Sequence, residues 1–105
     1  MPDLDAFLNS FREYMESFRE MRDALREIDE AEQDLDALST EINNVHAEIL
    51  RQLPEIDPDL RRRFDELLER MRDALERLRE AQRRHARARQ RTSEAERAMD
   101  RALGQ

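Results

Sequence analysis

No glycine and no proline occurs between Asp3 and Leu53 or between Asp59 and Leu103, and that absence constrains the fold of this 105-residue chain more than any other feature. Glycine and proline are the strongest interrupters of regular backbone. Stretches this long without either permit unbroken helices of roughly 70 Å each, at about 1.5 Å rise per residue. Both stretches also carry apolar residues at alternating three- and four-residue spacing, the period of one helix face. The expected fold is all-α: a long antiparallel helical hairpin of coiled-coil type, dimerising into an elongated four-helix bundle. It forms a single domain over residues 1–105, with a helix over 3–52, a turn over 53–57 and a second helix over 58–103.

The ends of the two stretches fit this reading. Asp3 offers a side-chain acceptor to the first free amides of the first helix, and Asp5 adds negative charge to its first turn. Asp57 followed by Pro58 is a strong helix start, since proline at the first helical position has no amide proton to leave unpaired. Gly104 suits a C-terminal cap, and Leu53 and Ile56 are expected to plug the turn. Ser39, Thr40, Asn43 and Asn44 are mediocre helix formers, but nothing there enforces a break, and the first helix is expected to be continuous.

On the first helix one row of the seam reads Phe7, Tyr14, Met21, Ile28, Leu35, Ile42 and Ile49. The other reads Leu4, Phe11, Phe18 and Leu25, then turns polar at Glu32, Ser39 and His46 before Leu53. Ala31, Leu38 and Val45 then supply apolar residues on the far side, so the seam is expected to shift near Ala31 as a 3.6-residue helix drifts against a seven-residue repeat. On the second helix the rows are Phe64, Met71, Leu78, His85, Thr92 and Met99, and Leu60, Leu67, Ala74, Ala81, Ala88, Ala95 and Ala102. The alanines leave no bulk, so a neighbouring helix can approach closely. Glu32, Ser39, His46, His85 and Thr92 are read as polar layers that fix register. The segment MRDAL occurs at Met21–Leu25 and again at Met71–Leu75, aligning one helix on the other at an offset of fifty residues.

Leu8, Met15, Leu50, Leu68, Leu75 and Leu103 widen the apolar stripe beyond what a two-helix seam needs. That excess argues for self-association as a homodimer or for a helical protein partner. The candidate interface is Phe7, Phe11, Tyr14, Phe18, Met21 and Leu25, large residues that face the alanine-rich and arginine-rich end of the second helix and are left incompletely covered by it.

Charge separates the two arms. Residues 1–53 hold 14 acids against 5 arginines, a net of −9, and residues 54–105 hold 12 acids against 14 arginines, a net of +2. An acid run, Glu27, Asp29, Glu30, Glu32, Asp34 and Asp36, lies on the first arm. A basic run, Arg83, Arg84, Arg87, Arg89 and Arg91, lies on the second. In an antiparallel pair turning near residue 55, facing residue numbers sum to about 111, which sets the basic run opposite Glu20, Asp23 and Glu27. Mutual neutralisation is the main reading of the basic run. The alternative is a phosphate-binding surface, making the chain a nucleic-acid-binding helical dimer; no interleaved aromatics and no recognition motif support it.

The overall charge of −7 opposes attraction to nucleic acid and to anionic membranes. No run of 18 apolar residues exists and the first ten residues are acidic, so neither a membrane span nor an export signal is expected and a cytoplasmic location is the default. There is no cysteine, and His46 and His85 lie far apart with the glutamates that precede them, Glu41 and Glu80, five residues away instead of the three of a Glu-x-x-His pair; no metal or cofactor is expected. Residues 24–38, ALREIDEAEQDLDAL, resemble the opening helix of the all-helical chorismate mutases. The lysine and the later arginine that such a site uses for its substrate's carboxylates are missing: the chain contains no lysine, and no arginine lies between Arg26 and Arg51. With no glycine-rich phosphate loop and no nucleophile beside a base, no enzyme is expected. The functional expectation is a protein-protein interaction or assembly subunit, such as an adaptor, spacer or small chaperone-like component, acting through its apolar seam.

Overall fold

A computed structural model describes residues 2–104; Met1 and Gln105, the outermost positions of the expected domain, lie outside the described residues. Two helices account for nearly all of it, α1 (Leu4–Gln52) and α2 (Pro58–Gly104), joined by a short turn. Among the described residues there is no strand. Both helix starts are capped as the sequence suggests. The Ala6 amide donates to Asp3 Oδ1 at 3.0 Å, and the Asp59 amide donates to Asp57 Oδ1 at 2.9 Å. Caps of this type stabilise a helix by about 1 kcal/mol each. α1 runs without interruption through Ser39–Asn44. Gly104 is the last residue of α2 and has no positive φ, so it does not act as the expected left-handed cap. At the turn Ile56 is half-buried but Leu53 is exposed, and only the former contributes to closing it.

The chain divides into two compact units: a terminal unit, residues 1–27 with 80–105, and a turn unit, residues 28–79. In each unit α1 and α2 pair antiparallel. The turn unit is a helical hairpin whose core is Leu38, Val45, Leu67 and Ala74, with Leu35, Ile42, Ile49, Leu60, Phe64 and Met71 packed against it. The terminal unit buries only small side chains: Ser17 and Ala24 from α1, and Ala81, Ala88, Ala95 and Ala102 from α2. The expected alanine row of α2 is therefore present in both units.

The seam of α1 differs from expectation. Ser17, Ala24, Ala31, Leu38 and Val45 are buried at unbroken seven-residue intervals, so no shift occurs near Ala31. Leu4, Phe11, Phe18, Leu25 and Leu53, expected in the seam, are exposed, as are Glu32, Ser39 and His46, which therefore form no polar layer. The physical reason is the row of alanines on α2. A close-packed helix pair has room for small residues where the backbones approach, and bulky ones are turned outward. His85 and Thr92 are half-buried, and Thr92 forms a hydroxyl pair in the seam, its Oγ1 lying 2.8 Å from Ser17 Oγ. Ser17 passes its own proton to the Tyr14 carbonyl at 3.1 Å, so neither hydroxyl is left unpaired.

Candidate protein interface

The two sides of the helix pair in the terminal unit carry different chemistry, and the heptad rows explain why. Around α1, a step of four residues turns the face by about 40–50°. Starting from the buried Ser17 and Ala24, successive steps reach Phe7, Tyr14 and Met21, which are half-buried, then Leu4, Phe11, Phe18 and Leu25, then Leu8, Met15 and Arg22, the last two groups exposed. On α2 the same steps from Ala81, Ala88, Ala95 and Ala102 reach His85, Thr92 and Met99, half-buried, and then Arg89, Glu96 and Leu103, exposed. Because the helices are antiparallel, equal rotation brings both series to one side. That side is apolar.

Phe11, Phe18 and Leu25 remain 46%, 38% and 48% exposed. Phe7 stacks on Phe11 and Tyr14 on Phe18, each pair with ring centroids 6.3 Å apart, an arrangement that holds large rings flat along the helix surface. Phe7, Phe11 and Tyr14 of α1 and Met99 and Leu103 of α2 line an open groove, with Glu96 and Asp100 on its α2 edge. All six residues of the sequence-derived interface, Phe7, Phe11, Tyr14, Phe18, Met21 and Leu25, thus fall in adjacent rows of this side. Sequence reasoning missed the reason for their exposure, namely that Ser17 and Ala24 occupy the seam in their place. The signal was present in the alignment of Ser17 and Ala24 with Ala31, Leu38 and Val45 at intervals of seven.

The opposite side of the terminal unit is closed by ion pairs. Arg91 donates to Glu13 from Nε at 2.8 Å and to Glu20 from Nη1 at 2.6 Å, and Arg84 pairs with Glu27. The sums of facing residue numbers for Arg84 with Glu27 and Arg91 with Glu20 are both 111, the register expected from the turn position. Arg83 and Arg87 both reach Glu80, at 2.8 and 3.7 Å. Of the candidate phosphate-binding residues Arg83, Arg84, Arg87, Arg89 and Arg91, only Arg89 has no acidic partner among the described residues. Hydrogen bonds donated to Glu13 and Glu20, outweighing partial desolvation, push the Arg91 guanidinium still further towards its charged form. Arg83 holds the Glu80 carboxyl below the ordinary carboxylate range, first through its hydrogen bond and then through its charge.

The turn unit shows the same division. Arg77 pairs with Asp34 at 2.9 Å and Arg63 with Glu41 at 3.7 Å on the charged side. On the other side the exposed apolar residues of α2 are Leu68 and Leu75, which the MRDAL repeat aligns with Phe18 and Leu25. His46 lies 6.3 Å from the Phe64 ring. Among the described residues no cluster of three His, Cys, Asp or Glu side chains could hold a metal ion, and no helix is long and apolar enough to cross a membrane. Comparison with protein-family models, with curated proteins and with solved structures finds no match to this chain.

Proposed function

We propose that this chain is a non-enzymatic assembly subunit, an adaptor, spacer or small chaperone-like component, that works by docking its apolar side onto another helical surface. The first such surface is a second copy, giving a four-helix bundle. One observation carries the reading: the aromatic row of α1 is displaced from the seam by Ser17 and Ala24 and remains on the surface as a stacked, ordered stripe. Four-helix bundles bury this kind of second stripe by packing one helix pair on another. Large apolar surface left open at such spacing marks an interface.

Light scattering over a micromolar concentration series tests the reading. A particle twice the mass of the chain is expected, with a shift to the single-chain mass in Phe11→Ser and Phe18→Ser. A monomer at every concentration, with no partner helix protecting the stripe from hydrogen exchange, would sink it. The nucleic-acid alternative has less support, because Arg83, Arg84, Arg87 and Arg91 are already paired with carboxylates. Salt-sensitive binding of duplex DNA or RNA at about 150 mM salt, lost on neutralising the run, would revive it.

A further inference from the structure

The outer flank of α1 changes sign along the helix. The row that carries Leu8, Met15 and Arg22 continues at seven-residue steps into Asp29 and Asp36. Arg12, Arg19 and Arg26 stand one row farther from the seam, and Glu32 one row nearer to it. The flank is therefore basic up to Arg26 and acidic from Asp29 to Asp36. All seven of these charged side chains are exposed, and among the described residues none makes an ion pair. Asp29 accepts a hydrogen bond from Gln33 at 3.1 Å. Glu16, Asp23 and Glu30 follow Arg12, Arg19 and Arg26 by four residues on the row turned away from the apolar side, and they too form no ion pair. Beside the flank runs a half-buried apolar row, from Phe7 to Ile49 at seven-residue steps, along a helix without interruption.

We infer that two copies pack their apolar sides together with α1 antiparallel to α1 of the other copy, about a two-fold axis perpendicular to the helices near Ile28, so that Arg22 and Arg26 of each copy meet Glu32 and Asp36 of the other. This pairing deepens the function proposed above and rests on it. The apolar row sets the register. It meets itself along its whole length only when residue i of one copy is level with residue 56 − i of the other, which puts Phe7 beside Ile49, Tyr14 beside Ile42 and Met21 beside Leu35. In that register Arg22 lies between Glu32 and Asp36, Arg26 lies between Asp29 and Glu32, and Arg19 is beside Asp36. Arg12 comes level with Asn43 and His46 and meets no acid. The basic half of the flank meets the acidic half twice over, as an isologous interface requires. Charges at such flanking positions set the orientation of packed helices.

Two other arrangements also cover the apolar side, and neither matches this flank. The ion pairs Asp34 with Arg77, Glu27 with Arg84 and Glu20 with Arg91 put residue i of α1 level with residue 111 − i of α2. Laying α1 over α2 at equal level therefore sets Arg22 against Arg89, and puts Arg97 as well as Glu96 and Asp100 beside Arg12. Antiparallel α1 helices that overlap over residues 4–25 alone bring together flanks with four arginines and a single acid, Asp5, in each copy. Like charges facing one another at an interface weaken association. In the full-length pairing the adverse contact on α1 is Asp29 with its own counterpart near the axis, and Arg26 of each copy stands beside both. On α2 the same axis puts residue j level with residue 166 − j. Arg72 then comes beside Glu96 and Glu69 level with Arg97, whereas Arg79 comes beside Arg89, Asp65 beside Asp100 and Arg83 level with its counterpart. Asp65 and Arg83 already have partners of their own in Arg61 and Glu80. Contacts of both signs offset one another on α2, so α1 selects the arrangement.

Charge swaps and cross-linking on the full chain test this. The double variants Arg22→Glu with Arg26→Glu, and Glu32→Arg with Asp36→Arg, each set like charges across both halves of the interface. Each is expected to weaken self-association at least about tenfold by analytical ultracentrifugation, while circular dichroism shows unchanged helicity. Mixed in equal amounts, the two variants form a heterodimer in which both halves match again, with association returning to within a few-fold of the wild-type value. The chain has no cysteine, so Asp29→Cys supplies a single thiol near the axis, and a short bis-maleimide is expected to join two copies through it. Met15→Cys, far from its counterpart in this register, is expected to stay unlinked. Linking through Met15→Cys instead of Asp29→Cys, or dimerisation with no recovery on mixing, overturns the arrangement and leaves the assembly reading standing. A wild-type chain that stays single at every concentration overturns the arrangement and self-association together.

Discussion

The turn unit and the terminal unit use the same pair of helices and the same seven-residue rows, yet they put large side chains in opposite places. In the turn unit the buried rows carry Leu38, Val45 and Leu67, so bulk lies inside and most of the exposed row on α1 is polar, with Glu32, Ser39 and His46. In the terminal unit the same rows carry Ser17, Ala24, Ala81, Ala88, Ala95 and Ala102, and the bulk lies outside as Leu4, Phe11, Phe18 and Leu25. Burying a leucine or valine side chain stabilises a fold by about 1.5–3 kcal/mol, whereas an alanine contributes a fraction of that. The turn unit is therefore the part that holds itself together. The terminal unit is held by a close alanine seam and a ladder of ion pairs, and its apolar area stays on the surface.

The sharpest way to break this comparison is to remove bulk from each unit in turn. Leu67→Ala, at a side chain only 2% exposed, is expected to cost about 2–5 kcal/mol in denaturant unfolding. Phe11→Ala, at a half-exposed ring, is expected to lower the intrinsic stability of the single chain by no more than about 1 kcal/mol while abolishing self-association. Equal losses at the two sites would show that the units do not differ as described. The next largest effect comes from adding bulk. Ala88→Leu forces the terminal helices apart, with an expected cost of about 1–3 kcal/mol and faster amide exchange over residues 80–104. A third, smaller effect isolates the ion pairs. Arg91→Gln removes two carboxylate contacts, but all three side chains are more than a third exposed and screened by solvent, so about 0.5–1 kcal/mol is expected. Raising salt should reproduce that loss in the wild type and have little effect on the variant.

The smallest effect is on pH dependence. Glu80 in the terminal unit and Glu48 in the turn unit are held below the usual carboxylate value by hydrogen bonds and charge from Arg83 and Arg51. A depressed folded-state pKa contributes stability that is present above the ordinary carboxylate value and disappears as pH falls through the lowered one. Glu80→Gln and Glu48→Gln should each flatten the acid limb of the stability curve slightly, and by similar amounts in the two units, because these are local pairs within one helix.

The two helices and their N-terminal caps were legible in the sequence because each has a local cause: absence of Gly and Pro, Asp3 and Asp57 at the caps, Pro58 at a first turn; the C-terminal cap expected at Gly104 was not borne out. The facing register was legible too, since a short turn fixes which residues are level, and Arg84 and Arg91 meet the acids that this register assigns them. The seam of α1 was not. Periodicity favours the bulkiest rows, and in Leu4–Leu25 two bulky rows compete with a row of serine and alanine that does not register as apolar. Only the partner decides among them. The four alanines of α2 in the terminal unit, Ala81, Ala88, Ala95 and Ala102, pair with small residues, Ser17 and Ala24, on α1, which is a tertiary preference that α1 alone does not display. His46 and Glu32 were assigned to the interior by the same error, being in line with Phe11 and Phe18.

In the terminal unit the Asp3 amide donates to the carbonyl of Ala102 at 3.0 Å, tying the first residue before α1 to the last turn of α2. Polypeptide leaving this unit in either direction starts from the same spot, beside the groove lined by Phe7 and Leu103. Anything fused upstream and anything fused downstream would be delivered side by side, so a reporter pair placed on the two ends would read out occupation of that groove directly.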